Sequence, residues 1–84
     1  MKHAGGDTLE ILEPFLVQVR SVEGLSEKKQ GIFYRRSKAF LHFHEDATGL
    51  FADLRCGERF ERFPVSTKTQ QTTFLVRVRE EARG

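Results

Sequence analysis

The chain has no tryptophan, one cysteine, one methionine, one tyrosine and two prolines among its 84 residues. Each shortage excludes something. A lone Cys56 cannot close an internal disulfide, which separates the chain from small secreted scaffolds stapled by cysteine pairs and fits a reducing compartment. No apolar run reaches the roughly 18 residues of a membrane span, and Met1 to Thr8 carries no apolar signal segment. The expected location is therefore the cytoplasm, with no membrane as partner. Lysine and arginine form no run of the length that marks a basic tail, and the formal charge is only +2. Gly31, Gly49 and Gly57 read as turn glycines and make no phosphate loop. No motif for a catalytic centre or a cofactor stands out, so the expectation is a protein that is not an enzyme and holds none. Without repeats, low-complexity tracts or a Pro- or Ser-rich linker, residues 1–84 are expected to form one domain, with residues 1–7 as a disordered tail.

What is present argues for a folded chain. Hydrophobic residues make up 38% and charged residues 31%, a balance that excludes wholesale disorder. Eight phenylalanines give a Phe-heavy core, and each buried ring contributes about 1.5–3 kcal/mol. A domain this small buries roughly 60–65% of its unfolded surface, so self-association would add margin.

The periodicity then assigns elements. Leu12, Phe15, Leu16, Val19 and Val22 share one helical face. Pro14 places the helix start near Glu13–Pro14, or else kinks a turn that begins at Thr8. Gly24 is the expected stop, and 25–31 reads as a polar connector. From Gly31 the period becomes two. Strands are expected over 32–35, 39–44, 50–55 and 58–63, joined by turns at 36–37 and 56–57 and a loop at 46–49, with Pro64 ending the last. Ser66 or Thr67 caps a second helix, Thr67 and Gln70 having capping-box spacing; Phe74, Leu75, Val78 and Ala82 form its apolar stripe. The fold class is α+β, in the order α-β-β-β-β-α. It is an antiparallel four-stranded meander with both helices on one face.

Register sharpens this. The loop at 46–49 pairs Glu45 with Leu50, His44 with Phe51 and His42 with Asp53. The turn at 36–37 pairs Tyr34 with Ala39 and Phe33 with Phe40. Ile32, Tyr34, Ala39, Leu41, Phe43, Leu50, Ala52, Leu54 and Phe63 then share a core face. The opposite face carries Phe33, Arg35, Phe40, His42, His44, Phe51, Asp53, Arg55, Phe60 and Arg62. A bulge in the third or fourth of these strands would exchange Phe60 for Phe63. Aromatic rings on an open sheet face require an explanation, and three readings compete. Phenylalanine platforms with arginine between them suit nucleic acid, although arginine stems packed over the rings would look the same. Phenylalanine and arginine also suit a homodimer or partner interface. Finally, His42 and His44 lie on one side of their strand with Asp53 opposite, a weak metal-ligand pattern with no further His or Cys at ligand spacing. The favoured reading is a non-enzymatic binding or interaction module using this face.

Other chemistry is weaker. His42 and Asp53 have the form of a base and its orienter but lack a nucleophile. Cys56 lies at the far end of its strand from His44 and reads as an inert turn residue. Asp53, Arg55 and Arg62 are expected to form cross-strand ion pairs.

The stretch Gly31-Ile-Phe-Tyr-Arg-Arg-Ser-Lys-Ala-Phe-Leu-His-Phe-His-Glu-Asp, followed by Gly49-Leu-Phe-Ala-Asp-Leu-Arg, resembles small uncharacterised bacterial proteins. More distantly it is similar to the MmcQ/YjbR and TfoX N-terminal domains, which share a helix followed by a meander opening with Gly-x-Phe. The resemblance covers Gly31 to Phe63. It implies a small α+β domain with a DNA-related role, and it brings no catalytic residue with it.

Overall fold

Alternating apolar and polar residues between Lys38 and Cys56 build the centre of a sheet, and the rest of the chain is arranged around it. A computed structural model describes residues 2–83. The strands are β1 (Lys2–His3), β2 (Ser26–Lys29), β3 (Ile32–Arg35), β4 (Lys38–Asp46), β5 (Gly49–Cys56) and β6 (Arg59–Pro64); the helices are α1 (Gly6–Ile11), α2 (Glu13–Arg20) and α3 (Lys68–Arg83). The sheet runs β2-β3-β4-β5-β6, and β1 also pairs with β4. All pairings are antiparallel. The α+β class and the four-strand meander are as expected; two strands are additional.

The first addition is β2, where a polar connector was expected. Ser-Glu-Lys-Lys has no apolar alternation, so its strand character comes from its neighbours. Glu27 pairs with Phe33, and its carboxylate accepts hydrogen bonds from Arg20 of α2 and from the Gly31 amide. The second is β1, in the expected tail. β3 covers the edge of β4 as far as His42. β1 takes up the same edge beyond it, pairing Lys2 with Glu45 and His3 with His44.

Pro14 opens α2, which starts at Glu13 as the first of the two expected alternatives has it, and a separate helix, α1, precedes it. The proline has no N–H to donate and sits in the first turn of α2. Leu12 joins the two helices: its own amide donates to Thr8, and its carbonyl accepts from Phe15 and Leu16. The second helix ends at Arg20, four residues before Gly24, which has φ +93° in the turn that follows. The α3 cap is as expected. Thr67 Oγ1 accepts from the Gln70 amide, and Gln70 Oε1 accepts from the Thr67 amide, both at 3.1 Å.

The helices cover one face of the sheet. Phe15 of α2 packs edge-on to Phe43 and against Phe74 of α3, which in turn meets Phe63. Leu41, Phe43, Ala52 and Leu54 are buried there, with Leu50 and Phe63 partly so. One region departs from the expected register. Phe33 pairs with Leu41 while Tyr34 pairs with Ala39, leaving Phe40 as an extra residue in β4. A bulge of this kind reverses the faces of one strand relative to the other. Phe33 and Phe40 therefore belong to the core, 1% and 3% exposed. Ile32 lies opposite His42, so it moves with Tyr34 to the face away from the helices.

Candidate metal centre

The helix-free face gathers titratable groups from both ends of the chain. Between Glu45 and Leu54, β4 and β5 keep the expected register: His42 opposes Asp53 and His44 opposes Phe51. Period-two alternation directs His42, His44 and Asp53 away from the helices. β1 supplies the third imidazole. His3 is the Cα partner of His44, and the two rings stack with centroids 4.8 Å apart. The segment behind it is tied down. The Ala4 amide donates to the Phe43 carbonyl at 3.0 Å, and the Glu45 carboxylate accepts from the Gly5 amide at 2.7 Å and the Thr8 hydroxyl at 2.8 Å.

All three histidines of the chain thus converge, with one donor atom of each lying within 4.8 Å of the others. His42 Nδ1 is 2.8 Å from His44 Nε2, and Asp53 Oδ2 lies 2.9 Å from that same Nε2. A carboxylate can only accept, so Nε2 is where His44 carries its hydrogen. His44 Nδ1 is then left with its lone pair. It is buried and has no hydrogen-bond partner among the described residues, a rare state for a buried polar atom. Asp53 is held from behind by Arg62, whose Nε and Nη2 each donate at 2.8 Å. That pairing keeps the Asp53 carboxyl below its ordinary 3.8, with smaller help from the two histidines. Burial, with the neighbouring His44 second, lowers the pKa of His42 below 6.5. Its imidazole is consequently neutral at pH 7.

Three imidazoles on one face offer nitrogen donors for a transition-metal ion. At zinc–nitrogen distances of 2.0–2.1 Å, tetrahedral ligands stand about 3.4 Å apart. One donor atom from each of the three rings lies within 4.8 Å of the others, a limit that includes that spacing. Asp53, pinned by Arg62 and touching His44, has the position of an outer carboxylate that fixes a ligating histidine. His3 is exposed, so the cluster opens to solvent on the β1 side.

The expected face is only partly assembled. His42, His44, Phe51, Asp53, Arg55, Phe60 and Arg62 lie together through the pairing of β4, β5 and β6. Phe60 is 38% exposed, with its ring 5.0 Å from that of His42. Of the expected ion pairs, Asp53–Arg62 forms. Arg55 instead donates Nε–H to the Ala39 carbonyl and lies over Phe60 at 4.7 Å. Phe33 and Phe40 are absent from the face because the bulge turns them inward. Arg35 is absent because its Nε–H donates to the Ala82 carbonyl of α3, on the helix side. His3 is the residue that sequence reasoning missed. Only the small number of histidines hinted at it, since a two-residue strand has no periodicity to read. Cys56 is remote from the cluster, in β5 beside the turn to β6, and burial raises its thiol to about 11, so it offers no thiolate nucleophile. No helix among the described residues is long and apolar enough to cross a membrane. No protein family, curated protein or solved structure matches the chain.

Proposed function

We propose that the chain is a non-enzymatic binding module, that its site is the helix-free face of the sheet, and that its ligand there is a divalent transition-metal ion held by His3, His42 and His44. The convergence of all three histidines carries this reading. The orphan lone pair on His44 Nδ1 and the Asp53–Arg62 brace behind it support it. Sheet-face stacking of nucleic acid has less support, because two of its four expected phenylalanines, Phe33 and Phe40, are core residues. The same loss weakens an aromatic dimer interface.

Zinc and nickel titrations of the full chain, free of any added histidine tag, test the reading by calorimetry and thermal unfolding. One ion should bind per chain. At a free-ion concentration 100 times Kd, stability should rise by about 2.7 kcal/mol. His3→Ala should weaken binding at least tenfold while leaving the fold of the metal-free chain intact, because His3 is exposed. Absence of stoichiometric binding, or binding indifferent to His3→Ala, would sink the proposal.

A further inference from the structure

A second site lies at the other end of β4. Lys38 is six residues from His44, about 20 Å along an extended strand. There the β3–β4 and β5–β6 turns meet the last turn of α3 around a groove of about 440 Å³, lined by Arg35, Arg36, Lys38, Phe40, Arg55 and the Gly57–Glu58 turn, with Glu81 beside them. A volume of this size accommodates a small-molecule ligand.

Among the described residues, five arginines are held in place by a hydrogen bond from Nε, and their partners divide them. Arg20, Arg62 and Arg77 donate to the carboxylates of Glu27, Asp53 and Glu81. Arg35 and Arg55 donate to the neutral carbonyls of Ala82 and Ala39, at 2.9 Å and 2.7 Å. These two are half-buried, neither forms an ion pair with a described residue, and both line this one groove. Arg35 also serves the carbonyl end of α3, as the helix dipole favours, but this uses only one of five guanidinium donors. Arg36 and Lys38 add two exposed charges without ion-pair partners among the described residues. Against these four cations stand Glu58 and Glu81, and Glu81 is engaged by Arg77 at 3.1 Å. Among the described residues, the groove therefore holds two oriented guanidiniums with uncompensated charge, and such planar forks match phosphate oxygens.

We infer that this groove binds a small phosphorylated anion, with Arg35 and Arg55 as the oriented forks and Arg36 and Lys38 as the outer charges. The inference is independent of the metal reading, since the two sites share no residue. Its test follows the arginine Nε–Hε resonances of the metal-free full chain during titration with sodium pyrophosphate at fixed ionic strength, with sodium chloride as control. The Arg35 and Arg55 signals should shift saturably with one-to-one stoichiometry, while that of Arg20 stays in place. The double variant Arg36→Gln/Lys38→Gln alters only exposed side chains, so it should fold and bind at least fivefold more weakly. Arg55→Lys keeps the charge but loses the fork, and should also weaken binding. Shifts that chloride reproduces, or affinity unchanged in the double variant, would overturn the inference. So would binding of a random single-stranded oligonucleotide without any saturable response to pyrophosphate, which would make the groove a polyanion surface instead.

Discussion

His42 is the residue through which mild acid should reach this fold. Its pKa lies below 6.5 chiefly because burial penalises the imidazolium, and because His44 is beside it. The unfolded chain takes up the proton near 6.5, whereas the folded chain takes it up only at lower pH. Between those values the unfolded state binds more protons, so stability declines as pH falls. In the metal-free protein, chemical denaturation should show stability decreasing from pH 6.5 downward, and His42→Gln should flatten that part of the profile. A second loss should follow below 3.8, where Asp53 is forced to protonate and leaves Arg62 and His44 without their anion. A profile flat from pH 7 to 5 in the unmodified chain would contradict the assigned burial of His42.

At the scale of elements, the bulge in β4 decides which aromatic rings belong to the core. Phe40 is the extra residue, and its side chain joins the cluster of Phe33, Leu41 and Leu54. Phe40→Ala should therefore destabilise the domain by about 3–5 kcal/mol, the range for removing a buried ring. A ring on an open face would cost well under half of that, so the midpoint of a urea titration separates the two arrangements. Alternation made the strands and the β4–β5 register legible from the sequence, as capping-box spacing did for the start of α3. The bulge was not legible, because alternating residues from Ile32 to His44 fit an unbulged hairpin equally well. What selects the bulged form is packing: it brings both Phe33 and Phe40 beneath the helices, and apolar burial on that scale outweighs a lost ladder hydrogen bond.

At the scale of the whole molecule, the N-terminal segment and the centre of the sheet depend on each other. Glu45 accepts from the Gly5 amide and the Thr8 hydroxyl, and thereby holds β1 and α1 against β4 with His3 over His44. Glu45→Gln replaces one acceptor oxygen by a donor facing these groups. It should lower the stability of the metal-free chain by about 1 kcal/mol and weaken zinc binding by about tenfold, equivalent to ~1.4 kcal/mol. Amide exchange and zinc calorimetry on the same variant read the two effects. Faster exchange near Leu9 with unchanged zinc affinity would show that His3 reaches the cluster without this clamp.

By itself the sequence determined the α+β class, the central strands, the pairing of His42 with Asp53 and of His44 with Phe51, and the cap of α3. These follow from local periodicity and short loops, whose energetics involve residues close together in the chain. Tertiary structure alone decided that Phe33 and Phe40 turn inward, that Ser26–Lys29 forms an edge strand, and that His3 joins His42 and His44. None of these has a local signal. The bulge is selected by core packing, and two- and four-residue strands have too little pairing of their own to form without a sheet edge already in place. The helix-free face was therefore legible as a candidate site, whereas its third histidine, about forty residues away in the chain, required the fold.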